Sequence, residues 1–275
     1  MCELMKVSRS TYYHWLKHAK KPGLIQDQRI FEQIKVSYSR SKGTYGSHRI
    51  TEDLKAQGIQ ISRASVARIM QSQGLRSRVK RKFKATTNSK HSYPVSPNIL
   101  ERNFYPQRLN EVWVSDITYI RAAGKWHYLT TIMDLADRMI IGWSLSLDMT
   151  AKNTVIRAWK KAIQIRKITQ PLIFHSDRGV QYACNDFRNI LSDNKFITQS
   201  MSRKANCWDN AVAESFFKTL KTEFIYQYKF NNYDQLYKGI FEYIEGWYNT
   251  RRKHSSLNYS SPFEKHLFLL NLLAA

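Results

Sequence analysis

Apolar positions in the first third of the chain recur at helical spacing and are punctuated by tight turns. Thr11-Tyr-Tyr-His-Trp-Leu16 follows Leu4, Met5, Val7 and the polar Ser8-Arg-Ser10, and it stops at Pro22-Gly23. A second helix begins near Gln26, with Ile30, Phe31, Ile34 and Tyr38 on one face. Gly46-Ser47 opens a third helix that carries Ile50 and Leu54 and closes at Gly58. Ser62 is a natural N-cap for a fourth, Arg63 to Gln73, with Val66, Ile69 and Met70 inward and Gly74 at its end. Two short helices joined by a few residues, the second exposing Arg63, Ser65, Arg68 and Gln71, suit a helix-turn-helix. Plain helical bundles share that pattern.

Residues 86–110 lose periodicity and hold Pro94, Pro97 and Pro106, which marks a linker. The pattern then turns to strands. Val112 to Ile120, Trp126 to Asp134 and Ile140 to Leu147 predict a three-strand meander turning at Ala123-Gly124-Lys125. Thr150 to Lys167 has helical spacing, Pro171 to Ser176 is a short apolar strand, and Asn185 to Ser192 is a helix. A strand at Phe196–Thr198 and a helix from Asp209 or Asn210 through Glu223 complete a mixed α/β sheet with helices on its faces.

Charge changes the reading of the helical third. The chain has 275 residues, 44 Lys and Arg against 21 Asp and Glu, and a formal net charge of +23. Residues 1–90 carry +15 of it, and no acid falls between Asp53 and Glu101. Such a run is either a solvated linker or a phosphate-binding surface. Flanking helices favour the second, because each neutralised phosphate releases a counterion. The basic residues proposed to touch DNA in this third are Arg63, Arg68, Arg76, Arg78, Lys80, Arg81 and Lys82. A hydrophobic content of 43% excludes a disordered basic tail. No run reaches the ~20 apolar residues of a spanning helix; the apolar stretch from Leu267 is broken by Asn271. The N-terminus lacks a signal-peptide stretch. Cys2, Cys184 and Cys207 are too far apart for a metal clip, and His175 adds no zinc spacing, so a reducing cytoplasm is expected.

Three acids stand out by their surroundings. Asp116 lies mid-strand among apolar residues, where a carboxylate is costly unless paired or metal-bound. Asp177 follows an apolar strand at its C-terminal end, the usual place for ligands in α/β sheets. Glu214 shares a helix face with Lys218 and Lys221, which suits a metal beside a phosphate backbone. In-line attack on a phosphodiester needs an activated oxygen nucleophile and charge relief on the leaving oxygen, and two Mg²⁺ held by hard carboxylates supply both. Each acid alone reads equally as a salt bridge; the set on a basic chain does not. Asp134, Asp137, Asp148, Asp186, Asp193 and Asp209 are expected to be surface or capping residues.

Trp113-x-x-Asp116-Ile-Thr, His175-Ser-Asp177-Arg-Gly-x-Gln181-Tyr182 and Ser200-Met-Ser-Arg-Lys204 resemble the retroviral-integrase-like transposases of bacterial insertion sequences. So do Asn206-Cys-Trp-Asp209-Asn210-Ala-x-x-Glu214-Ser-Phe-Phe-Lys218-x-Leu-Lys221-x-Glu223 and the tail from Trp247 through Arg251, His254 and Leu257 to Pro262. The chain is most similar to the second-frame (OrfB-type) product of the insertion-sequence-three group over nearly its whole length. That resemblance implies a ribonuclease-H-like catalytic core with Asp116, Asp177 and Glu214 as catalytic metal ligands. It also implies Mg²⁺ (Mn²⁺ as a substitute), two ions in number, and a homo-oligomer on element-end and target DNA in the bacterial, nucleoid-associated cytoplasm. An upstream-frame helix-turn-helix and leucine-zipper protein is an implied partner; no membrane is. The implied organisation is a helical segment (1–22), a helix-turn-helix-like domain (23–85), a linker (86–110), the core (111–228) and a helical extension (229–275). Arg203, Lys204, Lys218 and Lys221 join the proposed DNA contacts. Two departures are visible. The 36 residues between Asp177 and Glu214 are one more than is usual in the group, an excess expected near Thr198, and Ala205 replaces a common Gly. A silent DNA-binding regulator, or a nuclease that cuts without joining, are the competing readings.

Overall fold

A computed structural model describes residues 7–18, 23–78, 92–204 and 206–274. The chain divides into two compact units, Met1–Arg78 and Val79–Ala275. The first contains α1 (Arg9–His18), α2 (Gly23–Arg40), α3 (Ser47–Ala56) and α4 (Arg63–Ser72). Its core is the predicted apolar set: Ile34, Ile50, Leu54, Val66, Ile69 and Met70 are buried together with Tyr45. The Ser62 hydroxyl accepts the Ser65 amide at 3.1 Å, capping α4 where the sequence predicts it. Gly58 and Gly74 end α3 and α4 in the left-handed region, which a side chain would strain. Asp53 is buried, accepts the Ser37 hydroxyl at 2.6 Å and pairs with Arg40, fastening α3 to α2.

The second unit is built on a five-stranded sheet in the order β3-β2-β1-β4-β5. These strands are β1 (Val112–Ala122), β2 (Lys125–Asp134), β3 (Ile140–Ser146), β4 (Leu172–Ser176) and β5 (Ile197–Met201). The β1–β2 and β2–β3 pairs are antiparallel, while β4 runs parallel to both β1 and β5. The predicted helix over 150–167 begins with a wide π-helical turn, Lys152–Ile156, before α5 (Arg157–Ile165). Next come α6 (Val180–Ala183), α7 (Asn185–Ser192), α8 (Ala211–Glu223), α9 (Tyr233–Phe241) and α10 (Pro262–Ala274). The β4–β5 ladder is regular from Ile197 to Met201, so the extra residue is not carried as a bulge inside β5.

Strand alternation separates two apolar layers. Val112 and Val114 face one cluster with Phe216, Phe217 and Leu220 of α8 and Leu236 and Ile240 of α9. Trp113 faces the other, with Ala158, Trp159 and Ala162 of α5 and Phe187 of α7. Close approach of α5 to β3 requires Gly142, where a Cβ would lie 2.4 Å from the Ala158 carbonyl oxygen. No helix among the described residues is long and apolar enough to cross a membrane.

Three acids expected at the surface are buried instead. Asp134 and Asp137 are fully inaccessible and share the Arg166 guanidinium, at 2.8 and 2.5 Å, and Asp137 also meets His266 Nδ1 of α10 at 3.0 Å. Asp209 is the third. The local sequence hides the pairings of Asp134 and Asp137 because their partners lie 29 to 129 residues away. Asp148, by contrast, caps Thr150 at the surface as expected.

Candidate active site

Two of the three singled-out acids are placed by strand register. Ser115 of β1 pairs with Ser176 of the parallel β4, and Asp116 and Asp177 each follow by one residue. Neighbouring strands run about 4.8 Å apart, so the two carboxylates emerge side by side. Each is oriented locally: Asp116 Oδ1 accepts the Ile117 amide at 2.8 Å and Asp177 Oδ1 accepts the Gly179 amide at 2.9 Å. The third acid comes from α8, which packs on β1 and follows a 3-10 turn, Cys207–Asn210. Asn210 Nδ2 donates to the Ser115 carbonyl at 3.3 Å, tying the start of α8 to the residue before Asp116. Glu214 stands one turn further on, exposed.

The three acids share one electrostatic field. Asp116 is pushed well above the usual carboxylate range by burial first, then by Asp177 and Glu214, with Lys221 opposing. Glu214 is raised by burial and by Asp177. Half-buried Lys221 has its ammonium pKa lowered by burial, a shift that Asp116 resists. Among the described residues no three His, Cys, Asp or Glu side chains close tightly enough to enclose one ion by themselves.

Beneath the acids lies a hydrogen-bonded floor. The Ser115 hydroxyl donates to the Thr131 carbonyl at 2.9 Å and accepts from the buried Tyr182 hydroxyl at 2.8 Å. His175, imagined from sequence beside Cys184 and Cys207, is instead locked between the Ser200 and Ser202 hydroxyls at 2.9 and 3.2 Å. Burial lowers its pKa to about 4, so the ring is neutral. Ser200 Oγ already accepts the Ile99 and Leu100 amides, so its proton goes to His175 Nδ1 and leaves Nε2 as the ring donor.

The loop before α8 is organised by Asp209. Its carboxylate accepts Asn98 Nδ2 at 3.0 Å, Arg102 Nε at 2.8 Å, and the Arg203 amide, Nε and Nη2 at 2.9, 2.9 and 2.8 Å. Arg203 above all holds the Asp209 carboxyl far below its ordinary range. Arg203 therefore makes a bidentate structural pair, yet its side chain stays 55% exposed. Lys204 and Lys218 are exposed, as are Arg63, Arg68, Arg76 and Arg78 of the first unit. Lys80, Arg81, Lys82 and Ala205 fall outside the described residues.

Comparison with known proteins decides the family. An integrase core domain matches residues 106–207 and a second integrase core model matches 195–262, while an HTH-like domain matches 26–83. The 31 kDa protein of insertion element IS600 from Shigella sonnei is 42% identical over 95% of this chain and 96% of its own. Transposase InsF for insertion sequence IS3A from Escherichia coli is 38% identical over 95% of this chain and 91% of its own. The chain belongs to the IS3-family transposases. It is a DNA transposase of the DDE class, with a ribonuclease-H-like integrase core preceded by a helix-turn-helix region. The HTLV-2 integrase catalytic core domain in complex with magnesium is 16% identical, with a TM-score of 0.43 over 58% of this chain and 97% of that one.

For the transposase, the sequence singles out Asp116, Asp177 and Glu214 but not the residues that hold them in place. Asn210, Asp209 and Arg102 were visible only as motif letters or linker residues. Asn210 and Glu214, four residues apart at the start of one helix, carried a readable signal, since a residue one turn before a candidate ligand sits over the same face. Arg102 carried none.

Proposed function

We propose that Asp116, Asp177 and Glu214 are the catalytic carboxylates of this transposase and hold two Mg²⁺, with Mn²⁺ as a substitute. The observation that carries the reading is the mutual repulsion of three carboxylates from β1, the end of β4 and α8, on a chain of net charge +23. The donor set fits a hard cation: it is all carboxylate oxygen, and His175 is turned away into its serine pair. An ion there takes the rest of its oxygen shell from water and substrate phosphate, as Mg²⁺ ordinarily does. When bound, such ions supply an activated oxygen nucleophile and relieve charge on the leaving oxygen.

The chain's own residues set the geometry. Asn210 fixes the start of α8 against β1, and Lys218, Lys221, Arg203 and Lys204 hold the phosphate backbone. Arg63, Arg68, Arg76, Arg78, Lys80, Arg81 and Lys82 grip duplex DNA by the same counterion-releasing contacts. Water first displaces a 3′ oxygen from the donor phosphodiester, leaving a 3′-OH. That hydroxyl then attacks a second phosphodiester, forming a new bond as the old 3′ oxygen leaves. No covalent bond to protein is made in either step. The reading extends to a homo-oligomer working on DNA in the bacterial cytoplasm, together with an upstream-frame helix-turn-helix and zipper protein.

The test follows a labelled 3′ end into a new molecule, with Mg²⁺ and an element end. Asp116→Asn should abolish both cleavage and joining while leaving DNA binding in place. Intact joining by Asp116→Asn removes the carboxylate assignment. Cleavage without joining in the unmodified protein points to a nuclease, and binding alone to a regulator.

A further inference from the structure

We infer that Trp208 is a stacking platform for an unpaired nucleobase at the DNA end being processed. Trp113, Trp143 and Trp159 are buried, and Trp126, 52% exposed, leans on Arg121 and Tyr119. Trp208 is 69% exposed, and among the described residues no ring or cation packs on it. Its indole offers a large apolar face to solvent with one polar edge, the kind of ring that stacks on a flat partner.

Its position is set, not loose. Trp208 sits in the 3-10 turn Cys207–Asn210, and the next residue, Asp209, is fully buried and clamped by Asn98, Arg102 and Arg203. The residue after that, Asn210, is fastened to the Ser115 carbonyl beside Asp116. The indole therefore projects from a backbone tied directly to the elements bearing Asp116 and Glu214.

The charge around it selects the ligand. Arg102 and Arg203, which hold the carboxylate of the next residue, are 43% and 55% exposed, and Lys204 follows in the same loop. An aromatic face beside cations that track a backbone is the arrangement that binds single-stranded nucleic acid. The interior of a duplex offers no free base face, so the partner is a base already unpaired or drawn from the stack, which costs least at an end. This inference rests on the reading of the neighbouring acids as a phosphodiester site, and its test keeps the two apart.

The probe is a duplex oligonucleotide whose last three pairs are mismatched, with 2-aminopurine at the unpaired terminus, against the same duplex fully paired. The full chain should quench 2-aminopurine on binding the mismatched end. Trp208→Ala should lose the quench and bind that end about 5- to 150-fold more weakly, equivalent to 1–3 kcal/mol of stacking. Trp208→Phe should keep part of both effects, and binding to the paired duplex should stay within about twofold. If Trp208→Ala keeps the unmodified protein's ratio of mismatched to paired affinity, or its quench, the platform is refuted. Asp116→Asn should retain the quench while losing cleavage. A retained cleavage would therefore overturn the carboxylate assignment without touching the stacking result.

Discussion

Replacing Arg252 by Met tests how the chain after α9 holds α8. Arg252 Nε and Nη2 donate to the Glu223 carboxylate at 2.8 and 2.7 Å, and the Tyr243 hydroxyl donates to the same carboxylate at 3.0 Å. Both charged side chains are almost fully buried, 4% and 3% exposed. Glu223 is the last residue of α8, the helix that carries Glu214. Removing the guanidinium takes a bidentate counter-charge from a buried carboxylate, which costs about 3–5 kcal/mol. In a chain of this size each kcal/mol shifts the melting temperature by about 2–4 °C, so the variant should melt about 6–20 °C lower. The double variant Glu223→Leu/Arg252→Met removes both charges, and replacing a buried pair by apolar side chains is often neutral or better. It should recover most of the loss. In Arg252→Met alone, the Glu223 carboxyl loses that charge, which makes it harder to ionise in the folded chain. Its penalty is then full at neutral pH and relieved as the pH falls toward the unfolded value of about 4.3. Circular dichroism melts of the full chain at pH 4.5 and 7.5 read both effects. A single variant within about 3 °C of the unmodified protein, or a double variant no better than the single, would refute the reasoning.

Lys221→Ala should lower the salt slope of DNA binding by about 0.9 if the ammonium touches one phosphate; an unchanged slope in a titration of affinity against salt removes it from the contacts. Asp134 is raised to about 7 by burial and by Asp137, against the pull of Arg166, with Arg138 also felt at the site and His266 beside Asp137. The folded state then holds a proton that the unfolded chain has lost, so this group's contribution to stability falls as pH rises from about 4 to about 7. Asp134→Asn should flatten that decline in melting temperature, and parallel curves would falsify it. Gly142→Ala places a Cβ 2.4 Å from the Ala158 carbonyl oxygen and 2.9 Å from the Ala162 Cβ. Displacing α5 from β3 should cost about 1–3 kcal/mol of overpacking, read as a lower melting temperature.

Elements were legible wherever one face is buried and the period is short. The meander was readable because Val112, Val114, Leu129, Leu145 and their neighbours alternate along strands packed on both faces. The α4 helix was readable because Ser62 and Gly74 punctuate it. The predicted strand at 196–198 ends at Met201 instead, since Ser200 and Met201 look like loop residues until β4 lies beside them. Asp134 and Asp137 resembled surface acids for a related reason: what stabilises a carboxylate in the interior is a guanidinium delivered by the fold, and nothing local announces Arg166.

The acids of the second unit fall into two kinds. Asp209, Asp134, Asp137 and Glu223 each receive a guanidinium, which spends their charge on structure. Asp116 and Glu214 are raised by burial and by neighbouring carboxylates, with Lys221 opposing at Asp116. Holding like charges together works against the fold, and α8 is accordingly anchored at both ends. Asn210 and the Asp209 clamp fix its start, Glu223 with Arg252 and Tyr243 fix its finish, and Phe216, Phe217 and Leu220 bury its middle. The acids held by guanidinium groups thus restrain the helix that carries Glu214. A cation entering among Asp116, Asp177 and Glu214 would relieve the repulsion that the anchors oppose, so the site should gain stability on metal binding in proportion to the charge it gathers.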